Sequence, residues 1–374
     1  MMEKRLFDKL GIKTSLLGFG CMRLPVKDGK IDRERTAAML DTAYKAGVNY
    51  FDTAYPYHGG ESELVVGEIL NRYERSSYYL ATKLPCWEIH SLDDAKRMLD
   101  YQLERLQKDY IDFYLLHALN RGSFREMVSY GVPEYLAEMK EQGKIRYLGF
   151  SFHDEYDVFE EILNYRDWDF CQIQYNYMDR DYQAGDRGIA LATEKEIPLV
   201  IMEPIKGGTL ATLPEEVMTG LRALRPDASP ASWALRFVGS RPIIHVILSG
   251  MSAEDQLADN LNTFTNFEPL SEIEEKAIED TAAAIRARVR IGCTGCRYCM
   301  PCPNGVDIPK NFRIWNNYGM YGNVNNGRWQ WSHDISADAK PDNCIGCGAC
   351  EAACPQSLPI IESLQLCREE MDAL

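Results

Sequence analysis

The chain has 374 residues, 45% hydrophobic and 26% charged, with a formal net charge of −15; this is the make-up of a globular protein of roughly two domains and excludes collagen, coiled coil and disorder. No apolar run approaches the roughly 18–20 residues of a membrane span, and the charged start (Met1 to Asp8) lacks the apolar stretch of a signal peptide, so a cytoplasmic protein is expected. The acid excess opposes binding to nucleic acid or an anionic membrane surface.

From residue 16 onward, short apolar runs alternate with amphipathic stretches of helical length, the rhythm of repeated βα units. The predicted strands are Leu16–Gly20, Tyr50–Ala54, Tyr78–Lys83, Ile111–His117, Ile145–Ser151, Phe170–Asn176, Leu199–Pro204 and His245–Gly250. Among them fall predicted helices such as Arg33–Ala46, Glu61–Leu70, Leu92–Leu106, Pro133–Gln142, Val158–Asn164, Ala231–Val238 and Glu254–Leu261. Eight strands, each followed by a helix, predict a (β/α)8 TIM barrel. A doubly wound sheet is the competing fold, but Gly18-Phe-Gly20-Cys-Met-Arg23 lacks the third glycine of its phosphate turn. A charged helix over Ser271–Arg290 leads out of the barrel. Residues 286–374 hold nine acidic and nine basic side chains, so the whole net charge lies before them. That shift sets the expected domains at 1–285 and 286–374.

In a TIM barrel the reacting groups stand at the C-terminal ends of the strands. Asp52 and, one loop on, Tyr57 follow the second strand; Lys83 closes the third and His117 the fourth. A free phenol is a poor acid at neutral pH, but a neighbouring ammonium lowers its pKa and a carboxylate steadies the ammonium. Tyr57 could then protonate a carbonyl oxygen, tuned by Lys83 and Asp52, with His117 as a neutral donor orienting the carbonyl. Each residue alone has an ordinary structural explanation; the conjunction carries the reading.

Eight of the twelve cysteines fall in two quartets, Cys293, Cys296, Cys299, Cys302 and Cys344, Cys347, Cys350, Cys354, each followed by proline. Spacings this short suit convergence of thiolates on one object, not a disulfide framework. Zinc predicts pairs of cysteines. The second quartet reads C-x2-C-x2-C-x3-C-P and is similar to bacterial [4Fe–4S] ferredoxins, where the fourth cysteine of each run ligates the other cluster. The resemblance implies two [4Fe–4S] clusters, one on Cys293, Cys296, Cys299 and Cys354, the other on Cys344, Cys347, Cys350 and Cys302. The first quartet departs by one residue before Cys302. An insert of 41 residues separates the quartets, and its Trp315, Tyr318, Tyr321, Trp329 and Trp331 could shield the clusters from water. A small, mostly helical ferredoxin-like iron–sulfur domain after the barrel is expected.

Residues 5–265 also resemble the aldo-keto reductase family. The match lies in Phe51-Asp52-Thr-Ala-Tyr-Pro-Tyr57-His-Gly-Gly-Glu-Ser-Glu63, in Asp112-Phe-Tyr-Leu-Leu-His117 and in Gly143-Lys-Ile-Arg-Tyr-Leu-Gly-Phe-Ser151. Carried over by position, the resemblance implies that Asp52, Tyr57, Lys83 and His117 are the catalytic tetrad. It also implies NADPH or NADH across the barrel mouth. Gln174 and Ser151 would meet the carboxamide, Gly207 and Gly208 the pyrophosphate, and Ser249, Gly250, Ser252, Gln256 and Asn260 the adenosine end. That end carries Glu254 and Asp255 where many members have a basic residue for a 2′-phosphate. Met22, Arg23, Trp87, Leu119, Asn120, Phe152 and His153 would frame the pocket for a small carbonyl substrate.

Hydride moves two electrons at once, whereas a cluster passes one. A flavin would bridge the two, and no flavin motif is present. The favoured reading is a carbonyl reductase exchanging electrons through its clusters, with a redox partner protein at the cluster domain. The alternative is a conventional NAD(P)H-dependent aldehyde or ketone reductase whose clusters are structural or redox-sensing. A third reading makes the barrel a scaffold for electron transfer, which would not need the tetrad.

Overall fold

The computed structural model describes residues 1–265 and 267–374. The chain forms two compact units, Met1–Gly207 with Ala231–Ser271, and Gly208–Pro230 with Glu272–Leu374.

The first unit is a (β/α)8 barrel. Its strands are β1 (Leu17–Gly20), β2 (Tyr50–Asp52), β3 (Tyr79–Leu84), β4 (Ile111–Leu119), β5 (Ile145–Phe152), β6 (Phe170–Gln174), β7 (Leu199–Met202) and β8 (Ile244–Gly250). All neighbours pair in parallel and the sheet closes on itself. Every predicted strand is present, with its ends moved by a residue or two. The lower interior is built round Phe113, whose ring centre lies 4.9 Å from those of Tyr50 and Phe170 and 5.0 Å from that of Tyr147. Gly18 of β1 makes room for this packing, since a Cβ there would stand 2.6 Å from Val246. An antiparallel hairpin, Lys4–Phe7 with Ile12–Ser15, drives the fully buried Phe7 into the same cluster and floors the barrel. The interior is therefore filled from below, and reacting groups can open only at the strands' C-terminal ends.

The helix Leu92–Leu106 illustrates the local logic. Ser91 caps it by accepting from Asp94 N, Asp93 and Asp94 complement the positive end of the dipole, and Arg105 lies in the last turn.

The second unit joins the helices Glu215–Leu224 and Glu272–Arg286, tied by Arg225 to Glu274 at 2.6 Å and by Arg288 to Glu216, with the cysteine-rich segment. There the helix Ile308–Tyr321 starts on an Asp307 cap with Pro309 in its first turn and stops at left-handed Gly322. Its apolar face (Ile308, Phe312, Trp315) packs on Ile360, Leu364 and Met371 of the helix Ile360–Asp372. Trp315 and Trp331 are buried, and their indole N–H groups donate to Glu370 and Asp372 at 2.6 and 2.8 Å. Trp329, expected to shield a cluster, is instead half-exposed and stacks on His333.

Among the described residues no helix is long and apolar enough to cross a membrane.

Candidate active site and cysteine cavities

At the C-terminal ends of β2, β3 and β4 the four predicted side chains come together. Lys83 is fully buried; its Nζ donates to Asp52 Oδ1 at 2.6 Å and to the Thr53 carbonyl at 2.9 Å. The Tyr57 ring centre stands 5.1 Å from that Nζ. His117 meets the Tyr57 ring edge-on at 6.2 Å and the Trp87 ring at 5.0 Å. Two buried polar atoms here, Asp52 Oδ2 and His117 Nδ1, have no protein partner, as befits a site awaiting a ligand.

Burial pulls the Lys83 ammonium down, but the Asp52 carboxylate and Tyr57 outweigh it, and its pKa ends above the ordinary value. Burial raises the Tyr57 phenol and Lys83 opposes it, so the net direction is upward rather than the expected fall. The difference is solvent: a desolvated phenolate costs more than one ammonium returns. Burial pushes His117 down to about 2, helped by Lys83 and His153. The site therefore holds a protonated phenol, a fixed cation and a neutral imidazole.

Residues outside the tetrad fix this geometry. Fully buried Glu63 accepts from Thr82 Oγ1 at 2.7 Å, Gln102 Nε2 at 2.6 Å and Arg105 Nε at 2.9 Å, and the same Gln102 amide donates to the Lys83 carbonyl at 3.0 Å. β3 is thus clamped from behind. The pairing of β4 with β5 is irregular between Leu116 and Leu119, with Ala118 at φ 54°, and Ser151 Oγ accepts from Ala118 N at 2.7 Å. This bulge turns His117 toward the site. Ser151, expected beside a carboxamide, is thus also part of the frame. The roles of Glu63 and Gln102 were not read from the sequence. Their signal there is a charge and an amide on the inward faces of two helices.

The residues expected to meet the nicotinamide lie at or after the C-terminal ends of β5, β6, β7 and β8 along the chain. Gln174 donates through Nε2 to Asp179 at 3.0 Å, and Asp179 pairs with Lys206 at 2.6 Å. Asn260 Nδ2 donates to Ser249 Oγ at 2.9 Å, both buried, while Gln256 Oε1 accepts from Ser252 N at 2.9 Å on the surface. Gly207 and Gly208 take φ of 63° and 94°. A Cβ on Gly207 would stand 3.5 Å from Glu203 Oε2 and 3.8 Å from Arg23 Nη2, and the Arg23 stem runs along Gly250. Arg23 has no ion-pair partner among the described residues, and it stretches between these two glycines. Glu254 is held in a two-point ion pair by Arg35.

All eight quartet cysteines carry free thiols. Cys293, Cys296, Cys299 and Cys354 line one cavity; Cys302, Cys344, Cys347 and Cys350 line a second, which Cys299 also borders. Gly346 and Gly348 turn the second run at left-handed φ, as Gly295 and Arg297 do the first. Among the described residues, no three His, Cys, Asp or Glu side chains converge tightly enough to hold a single metal ion. Two foursomes of cysteines, each lining its own cavity, offer the donor sets of iron–sulfur clusters.

The profile of the Aldo/keto reductase family matches residues 16–283. The chain belongs to the aldo/keto reductase family. A 4Fe-4S dicluster domain matches residues 292–358. This aldo/keto reductase is 27% identical over 309 residues to an uncharacterized oxidoreductase, YqkF, of Bacillus subtilis (strain 168), covering 74% of this chain and 96% of the relative. It is 27% identical over 303 residues to the L-galactose dehydrogenase of Arabidopsis thaliana, covering 74% and 92%. The holo form of aldo-keto reductase AKR11C1 from Bacillus halodurans superposes with a TM-score of 0.65 at 27% identity, covering 75% of this chain and 96% of that one. The aldo/keto reductase is an NAD(P)-linked oxidoreductase of small molecules with an iron–sulfur segment at its C-terminal side.

Proposed function

We propose that this chain reduces a small carbonyl compound with Tyr57 as proton donor, in exchange with two [4Fe–4S] clusters held by its own cysteines. The observation that carries the reading is Lys83, locked between Asp52 and Thr53 with its ammonium 5.1 Å from the Tyr57 ring centre. A nicotinamide, when bound, supplies hydride to the carbonyl carbon. The Tyr57 hydroxyl gives its proton to the carbonyl oxygen, and the Lys83 ammonium stabilises the phenolate left behind. Asp52 keeps that ammonium charged and in place. Neutral His117 orients the oxygen.

The chain's residues fit the cofactor. Gly207 and Gly208 free the backbone for close approach, and unpaired Arg23 offers the pyrophosphate a guanidinium. Gln174 and Ser151 flank the carboxamide position, with Ser249, Gly250, Ser252, Gln256 and Asn260 toward the adenosine.

The donor sets support Cys293, Cys296, Cys299 and Cys354 on one cluster and Cys302, Cys344, Cys347 and Cys350 on the other, because each foursome lines one cavity. Such clusters supply one-electron transfer and suit a redox partner and a reducing cytoplasm. In this reading, residues 1–285 carry the reductase chemistry and 286–374 the electrons. The test is an anaerobic screen of aldehydes and ketones with NADH and with NADPH. Turnover that disappears in Tyr57→Phe is expected, and no turnover across the panel would overturn the proposal.

A further inference from the structure

Beside the first cysteine foursome lies a third cavity of about 780 Å³, within the size range of small-molecule sites. Cys293 forms part of its wall, so whatever fills it touches a candidate cluster ligand. One stripe of the helix Ile308–Tyr321 also lines it. Lys310, Arg313, Asn317 and Met320 recur there at helical spacing and all line the cavity. Arg297 adds a third cation, and the one acid present, Asp307, faces it at 3.5 Å. Among the described residues Lys310 and Arg313 have no ion-pair partner, and the Asn317 amide has no hydrogen bond. Asn316, by contrast, is spent on the backbone of Arg290 and Ile291. Ile291, Val289 and Met320 supply an apolar surface in the same cavity.

Two free cations, a free amide and apolar side chains in one cavity suit a ligand with a phosphate, a polar-edged ring and a flat apolar face. We propose that this cavity binds a phosphorylated flavin of the mononucleotide class, with its phosphate on Lys310 and Arg313. The ring lies against the apolar wall, its polar edge toward Asn317, near Cys293. A flavin accepts electrons in pairs and releases them singly, which matches a chain that carries both a hydride site and clusters. An acidic protein partner fits the cations less well, because they line a concavity.

The proposal rests on Cys293 as a cluster ligand but not on carbonyl reduction, and its test reads binding. Flavin mononucleotide, riboflavin and adenosine monophosphate are titrated into the iron-loaded full chain, following flavin fluorescence directly and adenosine monophosphate by displacement. Saturable binding of flavin mononucleotide is expected, with riboflavin weaker by about tenfold or more for want of the phosphate contacts. Lys310→Ala with Arg313→Ala should remove that advantage while leaving riboflavin binding and iron content unchanged. Absence of saturable flavin binding overturns the site. So does adenosine monophosphate binding as tightly as the flavin, or a double variant that keeps the phosphate advantage. Displacement of the flavin only by acidic carrier proteins would supports neither ring nor phosphate contacts and would likewise overturn it.

Discussion

Lys83 Nζ and Asp52 Oδ1 stand 2.6 Å apart with both side chains buried. A desolvated pair of this kind is more valuable as a fixed charge than as a source of stability, because removing one partner strands the other. Asp52→Asn is expected to destabilise the barrel by about 3–5 kcal/mol and to lower turnover with it. Denaturant unfolding of the variant measures the first effect. A midpoint unchanged from the parent would mean the ammonium is satisfied without the carboxylate.

Tyr57 is the proton donor in this account, held protonated by burial. Tyr57→Phe should lower kcat for carbonyl reduction by roughly 10²–10⁴-fold, leaving nicotinamide affinity close to the parent's. Steady-state kinetics separate the two parameters. Near-parental kcat would remove Tyr57 from the chemistry.

His117 has a folded pKa of about 2 against roughly 6.5 in an unfolded chain. The unfolded chain therefore takes up a proton that the folded one refuses. The stability this provides is complete above about pH 6.5 and is lost progressively as pH falls toward the folded value. His58, His153 and His245 are shifted in the same direction, so a difference measurement is needed. His117→Gln should give a shallower fall of melting temperature with acid than the parent. Parallel curves would contradict a neutral buried imidazole.

The sequence made the barrel legible because each strand is a short apolar run and each strand end carries its polar residue at a fixed place. Three of the helices it did not reveal have local reasons. Arg121–Ser129 starts on a capping box of Asn120 and Ser123 in a polar stretch that reads as loop. Gly185–Glu194 opens with glycine and contains Gly188, where a Cβ would press on Ala184 and the Phe159 ring; tertiary packing overrides propensity there. Glu215–Leu224 follows a turn rich in Gly, Thr and Pro and packs on Glu272–Arg286, a contact no local pattern announces. At the site, Asp52, Tyr57, Lys83 and His117 could be read from their strand ends. The direction of the Tyr57 shift could not, because desolvation depends on surroundings from distant strands and helices.

The cysteine assignment makes a linked prediction. Cys354→Ser and Cys293→Ser should each lose the same cluster, about half the bound iron, although sixty residues of chain separate the two positions. Cys347→Ser should lose the other cluster and leave the first intact. Iron analysis with EPR of the reduced proteins distinguishes the two sets. If Cys354→Ser and Cys347→Ser lost the same signal, each run would be ligating its own cluster.

The central claim, that nicotinamide chemistry and the clusters work in one enzyme, is tested most directly by adding NADH, and separately NADPH, to the anaerobic iron-loaded protein. Cluster absorbance and EPR are followed together. The account predicts bleaching of the broad cluster absorbance and an EPR signal from reduced clusters, with one of the two nicotinamides and in the presence of flavin mononucleotide. Clusters that stay oxidised with both, while carbonyl turnover proceeds, would contradict it and leave a conventional reductase with structural clusters.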